Sequence, residues 1–171
     1  MVNHLTTNMN YNTYKIQKCL HRGCKTCNFI KEDILFMCTN THQVFWPILN
    51  TEPFLSCTTR GVIYLMSCKL CGLQYVGETK NSTQKRFNGH RSSIRRNKSN
   101  QLVHQHFNEA CHGLDNITIQ PIKFINLPNA TQREKDKFRL EREKCWISVL
   151  QTIYPLGLNE RLKGVGDFHP S

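Results

Sequence analysis

Nine cysteines and eight histidines, many at metal-ligand spacing, constrain this chain more than any hydrophobic pattern does. Cys19-x4-Cys24-x2-Cys27 sets two thiolates at i and i+3, where a tight turn can bring them to one tetrahedral ion. The fourth ligand must come from elsewhere; Cys57 is the first choice, with Cys38, His42 and His21 as competitors. A second pair, Cys68-x2-Cys71, is followed by His106 and His112, whose spacing lies at the edge of the Cys2His2 range. Cys111 is a substitute for either histidine. The competing readings are free thiols in a linker for the first group, and an inert turn with surface histidines for the second. A thioredoxin-type redox pair is disfavoured, because its CxxC precedes a helix within a βαβ unit. The odd cysteine count and the polar start Met1-Val2-Asn3-His4, without a signal-peptide core, argue against a disulfide scaffold and against secretion. A nuclear or intracellular location is expected.

Charge narrows the partners. Lys plus Arg number 23 against 12 acids, a formal net charge of +11. Such an excess favours a polyanion, either nucleic acid or an anionic membrane surface. No apolar run of 18 residues occurs, which excludes a membrane-spanning helix.

Texture divides the chain into four stretches. Residues 1–17, rich in Asn and Thr, read as a flexible tail. Residues 18–59 form a Cys-rich connector, broken by Pro47 and Pro53, with so little core material that a metal staple is needed. Residues 60–162 carry the periodic segments, and 163–171 are a second tail. Within the periodic part, Val62–Met66 and Leu73–Gly77 predict an antiparallel hairpin across the Cys68–Gly72 turn. A basic, mostly exposed helix is expected over 82–97, with Phe87 and Ile94 as its large apolar residues, and a short helix over 100–109. Residues 117–125 alternate like a third strand, with Pro121 marking an edge or a bend. The segment 131–150, free of internal Pro and Gly, is the clearest helix, with Leu140, Ile147 and Leu150 on one stripe. The fold class is therefore α+β, a small three-stranded antiparallel sheet flanked by helices and preceded by the Cys-rich segment.

Three features carry chemistry. Tyr64 and Tyr75 lie in adjacent strands; Arg86 and His90, at i and i+4, share a helix face; Glu143 interrupts the apolar stripe Leu140–Ile147–Leu150. A carboxylate facing a core costs several kcal/mol unless paired or bound to a cation. Lys80, Lys85, Arg91, Arg95, Arg96 and Lys98 form a basic stripe around the first helix, suited to a DNA backbone. Taken singly, each feature has a plainer reading as strand packing or solvated charge.

Together they resemble the GIY-YIG nuclease family. Val62-Ile63-Tyr64 stands at the first motif and Tyr75-Val76-Gly77 at the second. Arg86-x3-His90, the Glu143 helix and Gly157-Leu158-Asn159 follow in the family's order. Within that family the chain is similar to the endonucleases of Penelope-like retroelements, which read VIY for GIY, insert CxxC between the two motifs and pair it with two later histidines. That likeness implies a zinc site of Cys68, Cys71, His106 and His112; with Cys19, Cys24, Cys27 and Cys57, two structural Zn2+ ions are expected.

The resemblance further implies a metal-dependent DNA endonuclease. One Mg2+ or Mn2+ on Glu143 would polarise the scissile phosphate, Arg86 would neutralise its charge, and Tyr64 would activate water with help from Tyr75. His90 would assist proton transfer, Asn159 would support the site, and His104 is held in reserve. A parent element would supply a reverse transcriptase, for which a chain of this length has no room; a detached copy, a fragment or a domesticated nuclease is expected. The alternative is a catalytically inactive, zinc-bearing nucleic-acid-binding protein of the same fold.

Overall fold

The structure is a computed structural model and describes residues 15–33, 35–47, 54–97, 99–109 and 111–160. In chain order the strands are β1 Lys15–Ile16, β2 Phe36–Met37, β3 Val44–Phe45, β4 Phe54–Leu55, β5 Arg60–Cys68, β6 Gln74–Ser82 and β7 Ile117–Phe124. The helices are α1 Thr83–Arg96, α2 Leu102–His106 and α3 Gln132–Val149. The central sheet has the order β6-β5-β7, antiparallel throughout, as expected from the hairpin and the third strand. β5 is the middle strand, and its residues Val62–Met66 are buried. Pro121 sits on the outer strand, beside a register shift opposite Ile63 and Tyr64, where a missing N–H is tolerated.

Alternation along β5 sends side chains to two cores. Tyr64, Met66 and Cys68 pack with Phe87 and Ile94 of α1 and Val103 of α2. Ile63 and Leu65 pack with Val76, Ile122, Ile147 and Leu150 under α3. Each long helix is capped by its sequence: the Ser82 hydroxyl accepts from Lys85 N–H, and Thr131 with Glu134 forms a reciprocal capping box.

Several expectations need revision. Residues 15–17 are not tail, because β1 pairs with β4 and Ile16 is buried. The connector contributes to both cores: Ile30 bridges to Ile119, and Phe36 and Cys38 pack beneath α3. α1 is less exposed than its composition suggests, with Thr83, Phe87, His90, Arg91 and Ile94 all buried. Leu140 is 47% exposed, so it does not belong to the buried stripe. That stripe runs through Arg139, Ile147 and Leu150, with Glu143 and Trp146 half-buried along it. The tail 163–171, most of 1–17, and Lys98 lie outside the described residues. Among the described residues no helix is long and apolar enough to cross a membrane.

Candidate active site

The site forms where β5, β6, α1 and α3 meet. Register places Tyr64 opposite Gly77, and the Tyr64 ring crosses the strand pair over that glycine. A Cβ at residue 77 would overlap the Tyr64 hydroxyl, so this position requires glycine because of the close approach. The i,i+4 spacing of α1 then presents two partners to one phenol. Arg86 Nε donates to the Tyr64 hydroxyl at 3.0 Å, and His90 Nε2 lies 2.7 Å from the same oxygen. Tyr75, from β6, packs its ring 5.7 Å from His90 and 6.4 Å from Tyr64. The Arg86 guanidinium faces both phenols.

Glu143 approaches from α3. Its Oε1 accepts the Glu78 backbone N–H at 3.1 Å, which fixes the carboxylate against the edge of β6. Burial, then the charge of Glu78, pushes its pKa up to about 7, with Arg86 and Lys144 opposing. The Glu78 side chain is held by Arg139, whose Nε donates to it at 2.7 Å and whose Nη2 donates to Asp136. Asn159 stands one layer away. Its Oδ1 accepts Val76 N–H at 2.9 Å and its Nδ2 donates to Val76 C=O at 2.8 Å, while Thr152 also donates to Oδ1. Asn159 therefore clamps β6 beside Tyr75 rather than entering the pocket.

Burial dominates the phenols. It raises Tyr64 well above the ordinary tyrosine value, and Tyr75 likewise, against the opposing pull of Arg86. It lowers His90 to about 3, helped by the neighbouring Arg86 and His104 charges, so His90 is a neutral imidazole. His90 Nδ1 lies 2.8 Å from His104 Nε2, and His104 Nδ1 lies 2.6 Å from Ser99 Oγ. Sequence reasoning left His104 in reserve and missed Ser99, Gly77 as a packing requirement, and the Glu78–Arg139 pair. The motif order gave no signal for Ser99, whose loop position only the fold brings to His104.

Both metal-ligand sets assemble. Sγ atoms of Cys19, Cys24, Cys27 and Cys57 lie within 4.8 Å of one another, with Cys27 at 3.5 Å from both Cys19 and Cys57. At a Zn–S distance of about 2.3 Å, ideal tetrahedral sulfurs are about 3.8 Å apart, so the set fits zinc. Cys57 takes the fourth place; Cys38 instead donates to Leu150 C=O, and His21 and His42 are exposed. The second set is Cys68, Cys71, His106 and His112, with Cys68 Sγ 3.4 Å from His112 Nδ1 and Cys71 Sγ 3.6 Å from His106 Nε2. Cys111 is exposed and outside it.

The basic stripe is only partly borne by the surface. Lys80, Lys85, Arg95 and Arg96 are exposed. Arg91 is buried, its guanidinium 5.3 Å above the Phe29 ring and its Nη1 donating to Asn88, so it serves packing rather than a polyanion.

A buried phenol–arginine–imidazole cluster thus faces a carboxylate at the edge of the three-stranded sheet, and the sheet with its flanking helices, matched to a known family, defines the class: a GIY-YIG-type nuclease. The chain belongs to the GIY-YIG family; residues 60–155, more than half of it, match the GIY-YIG catalytic domain. Among solved structures, the catalytic domain of homing endonuclease I-TevI is similar at 20% identity and a TM-score of 0.44, over 57% of this chain and 95% of that one. None of the curated proteins matches.

Proposed function

We propose that this chain is a metal-dependent DNA endonuclease in which Tyr64, Arg86, His90 and Glu143 perform phosphodiester hydrolysis. The observation that supports it most is the shared contact of Arg86 and His90 on the Tyr64 hydroxyl. Arg86, held cationic, places a planar donor where phosphate charge builds. Tyr64 is the proton acceptor for the attacking water; it first passes its own proton to neutral His90, which its geometry allows at 2.7 Å. Tyr75 borders the same space and holds the water. Asn159 acts by fixing β6.

Glu143 has one oxygen taken by Glu78 N–H, while the other has no hydrogen bond among the described residues, a carboxylate suited to one Mg2+ or Mn2+. Bound there, the ion would supply Lewis-acid stabilisation of the phosphate and leaving oxygen. Zinc at the two Cys/His sets is structural. We further read the chain as retroelement-derived, close to Penelope-like endonucleases: Val62-Ile63-Tyr64, the inserted Cys68-x2-Cys71 and its two histidines support that descent. On that reading the protein works with DNA in the nucleus, alongside a reverse transcriptase of the parent element, and residues 18–59 are a connector ahead of a 60–162 nuclease unit.

Supercoiled-plasmid nicking with Mg2+ tests the proposal. Wild type converts the plasmid; Arg86→Ala and Glu143→Ala lose at least about 100-fold, the scale of losing a charge-stabilising group. Equal nicking by all three would remove the catalytic assignment. DNA binding without nicking by any would favour the inactive binding protein.

A further inference from the structure

Beside the site a second cleft opens, of about 630 Å³, between the β4–β5 turn and the first half of α3. Four cationic side chains line it, Arg60, Lys80, Lys135 and Arg139, and among the described residues no acidic one does. Arg139 is neutralised by Glu78 and Asp136, whereas Arg60, Lys80 and Lys135 form no ion pair among the described residues. Two aromatic rings also line the cleft, Phe54, 44% exposed, and Phe124, among hydroxyl, amide and aliphatic groups. The cleft is continuous with the catalytic groove, because Lys80 and Arg139 also line the 350 Å³ pocket that contains Arg86.

Cations interleaved with an exposed aromatic ring are what a single nucleic-acid strand needs: charge for phosphates and a π-face for an unstacked base. The volume is that of a small-molecule pocket, about 300–1,000 Å³, which admits nucleotide units but not a duplex. We propose that this cleft binds an unpaired stretch of the DNA strand flanking the cleaved phosphate, with a base on Phe54 and phosphates on Arg60, Lys80 and Lys135. The inference rests on the nuclease reading and adds the substrate class: DNA with a single-stranded flank, such as a flap or a frayed end.

The test is fluorescence anisotropy on the full chain, in buffer without chelator or added Mg2+ or Mn2+, using a blunt duplex and the same duplex carrying a single-stranded flank. Wild type binds the flanked duplex more tightly, by about tenfold. Phe54→Ala removes most or all of that preference, because one base–aromatic stack is worth about fivefold or more, and Phe54→Trp retains it. Arg60→Gln with Lys135→Gln, both surface changes, lowers the slope of log K against log salt for the flanked probe by about one to two. Trp46→Ala, an exposed aromatic outside the cleft, changes nothing. Equal wild-type affinity for both probes, or a preference untouched by Phe54→Ala and by the double variant, would overturn the proposal. Plasmid nicking by wild type read in parallel separates the two claims. Nicking without a flank preference sinks this inference alone, while a Phe54-dependent preference without nicking upholds the strand-binding cleft and sinks the nuclease reading.

Discussion

Because Arg86 donates to the Tyr64 oxygen, the phenolic proton is free to point at His90 Nε2. That assignment propagates. His90 then carries its proton on Nδ1 and donates to His104 Nε2, and His104 donates from Nδ1 to Ser99, which also accepts Gln101 N–H. A proton leaving Tyr64 can therefore pass in concert, Tyr64 to His90 Nε2 as His90 Nδ1–H moves to His104 and His104 Nδ1–H moves to Ser99, whose hydroxyl gives its own proton to solvent. No buried imidazolium then has to form on His90, whose affinity for protons is low. His104→Leu should lower kcat about tenfold or more with KM little changed, and His104→Gln, whose amide can still accept from His90, should restore part of it; unchanged kcat in His104→Leu would remove the relay. The same buried imidazole sets an acid limit on stability. His90 drops from 6.5 in the unfolded chain to about 3 folded, so the unfolded state takes up a proton first. Its contribution is complete above pH 6.5 and is lost as pH falls towards 3, on the order of 5 kcal/mol in all. Urea melts from pH 7 to 4 should show wild type falling more steeply than His90→Gln; parallel curves would contradict this. Tyr64, Arg86 and His90 were legible because their partners lie at fixed spacing in one helix and one hairpin. Ser99 was not, because a serine in a loop acquires a role only from what the chain folds against it.

At the scale of elements, α3 shows where pattern reading stops. Its period was clear, yet the apolar positions alone put Leu140 on the buried stripe, when the face is in fact completed by Arg139. An arginine reads as solvent-facing unless its acids, Glu78 on β6 and Asp136 on its own helix, are known to be in place. The metal-ligand sets, by contrast, were largely legible, since CxxC spacing is dictated by coordination geometry; Cys57, thirty residues on, was the first choice among four candidates until the fold placed it, and His106 and His112, at the edge of the usual spacing, rested on the family resemblance. Those sets lie where short elements meet α1 and α2. Gln84, in the first turn of α1, donates its backbone N–H to Cys57 C=O at 2.7 Å and its side chain to Cys24 Sγ at 3.3 Å, two residues before Arg86. The other set ties the β5–β6 turn to α2 through His106. Elemental analysis should find about two zinc ions per chain, and Cys57→Ser about one. Chelation should lower the melting temperature sharply, because strands of two residues such as β1 and β4 have little core of their own. A folded, metal-free wild type would contradict the assignment.

Across the whole molecule, the net charge of +11 is not spread at random around the site. Lys80 stands at the mouth of the catalytic groove, while Lys85, Arg95 and Arg96 project from the outer face of α1, whose inner face carries Arg86 and His90. A duplex lying along α1 would thus meet phosphate contacts on one side of the helix and catalytic groups around its flank. The charge excess foretold a polyanion, but could not say which cations reach it: Arg91 reads like its neighbours and is instead 7% exposed over Phe29. The two kinds of arginine are separable by experiment. Lys85→Gln, Arg95→Gln and Arg96→Gln together should weaken blunt-duplex binding uniformly across sequences and reduce the salt slope by up to about three, with the melting temperature unchanged, because each contact that is lost releases roughly one counterion fewer. Arg91→Gln should leave the slope unchanged and lower the melting temperature, because it removes a buried cation–π contact and the hydrogen bond to Asn88. If Arg91→Gln instead flattened the salt dependence at constant stability, α1 would present its opposite face to DNA, and the inward orientation of Arg86 and His90 would have to be abandoned with it.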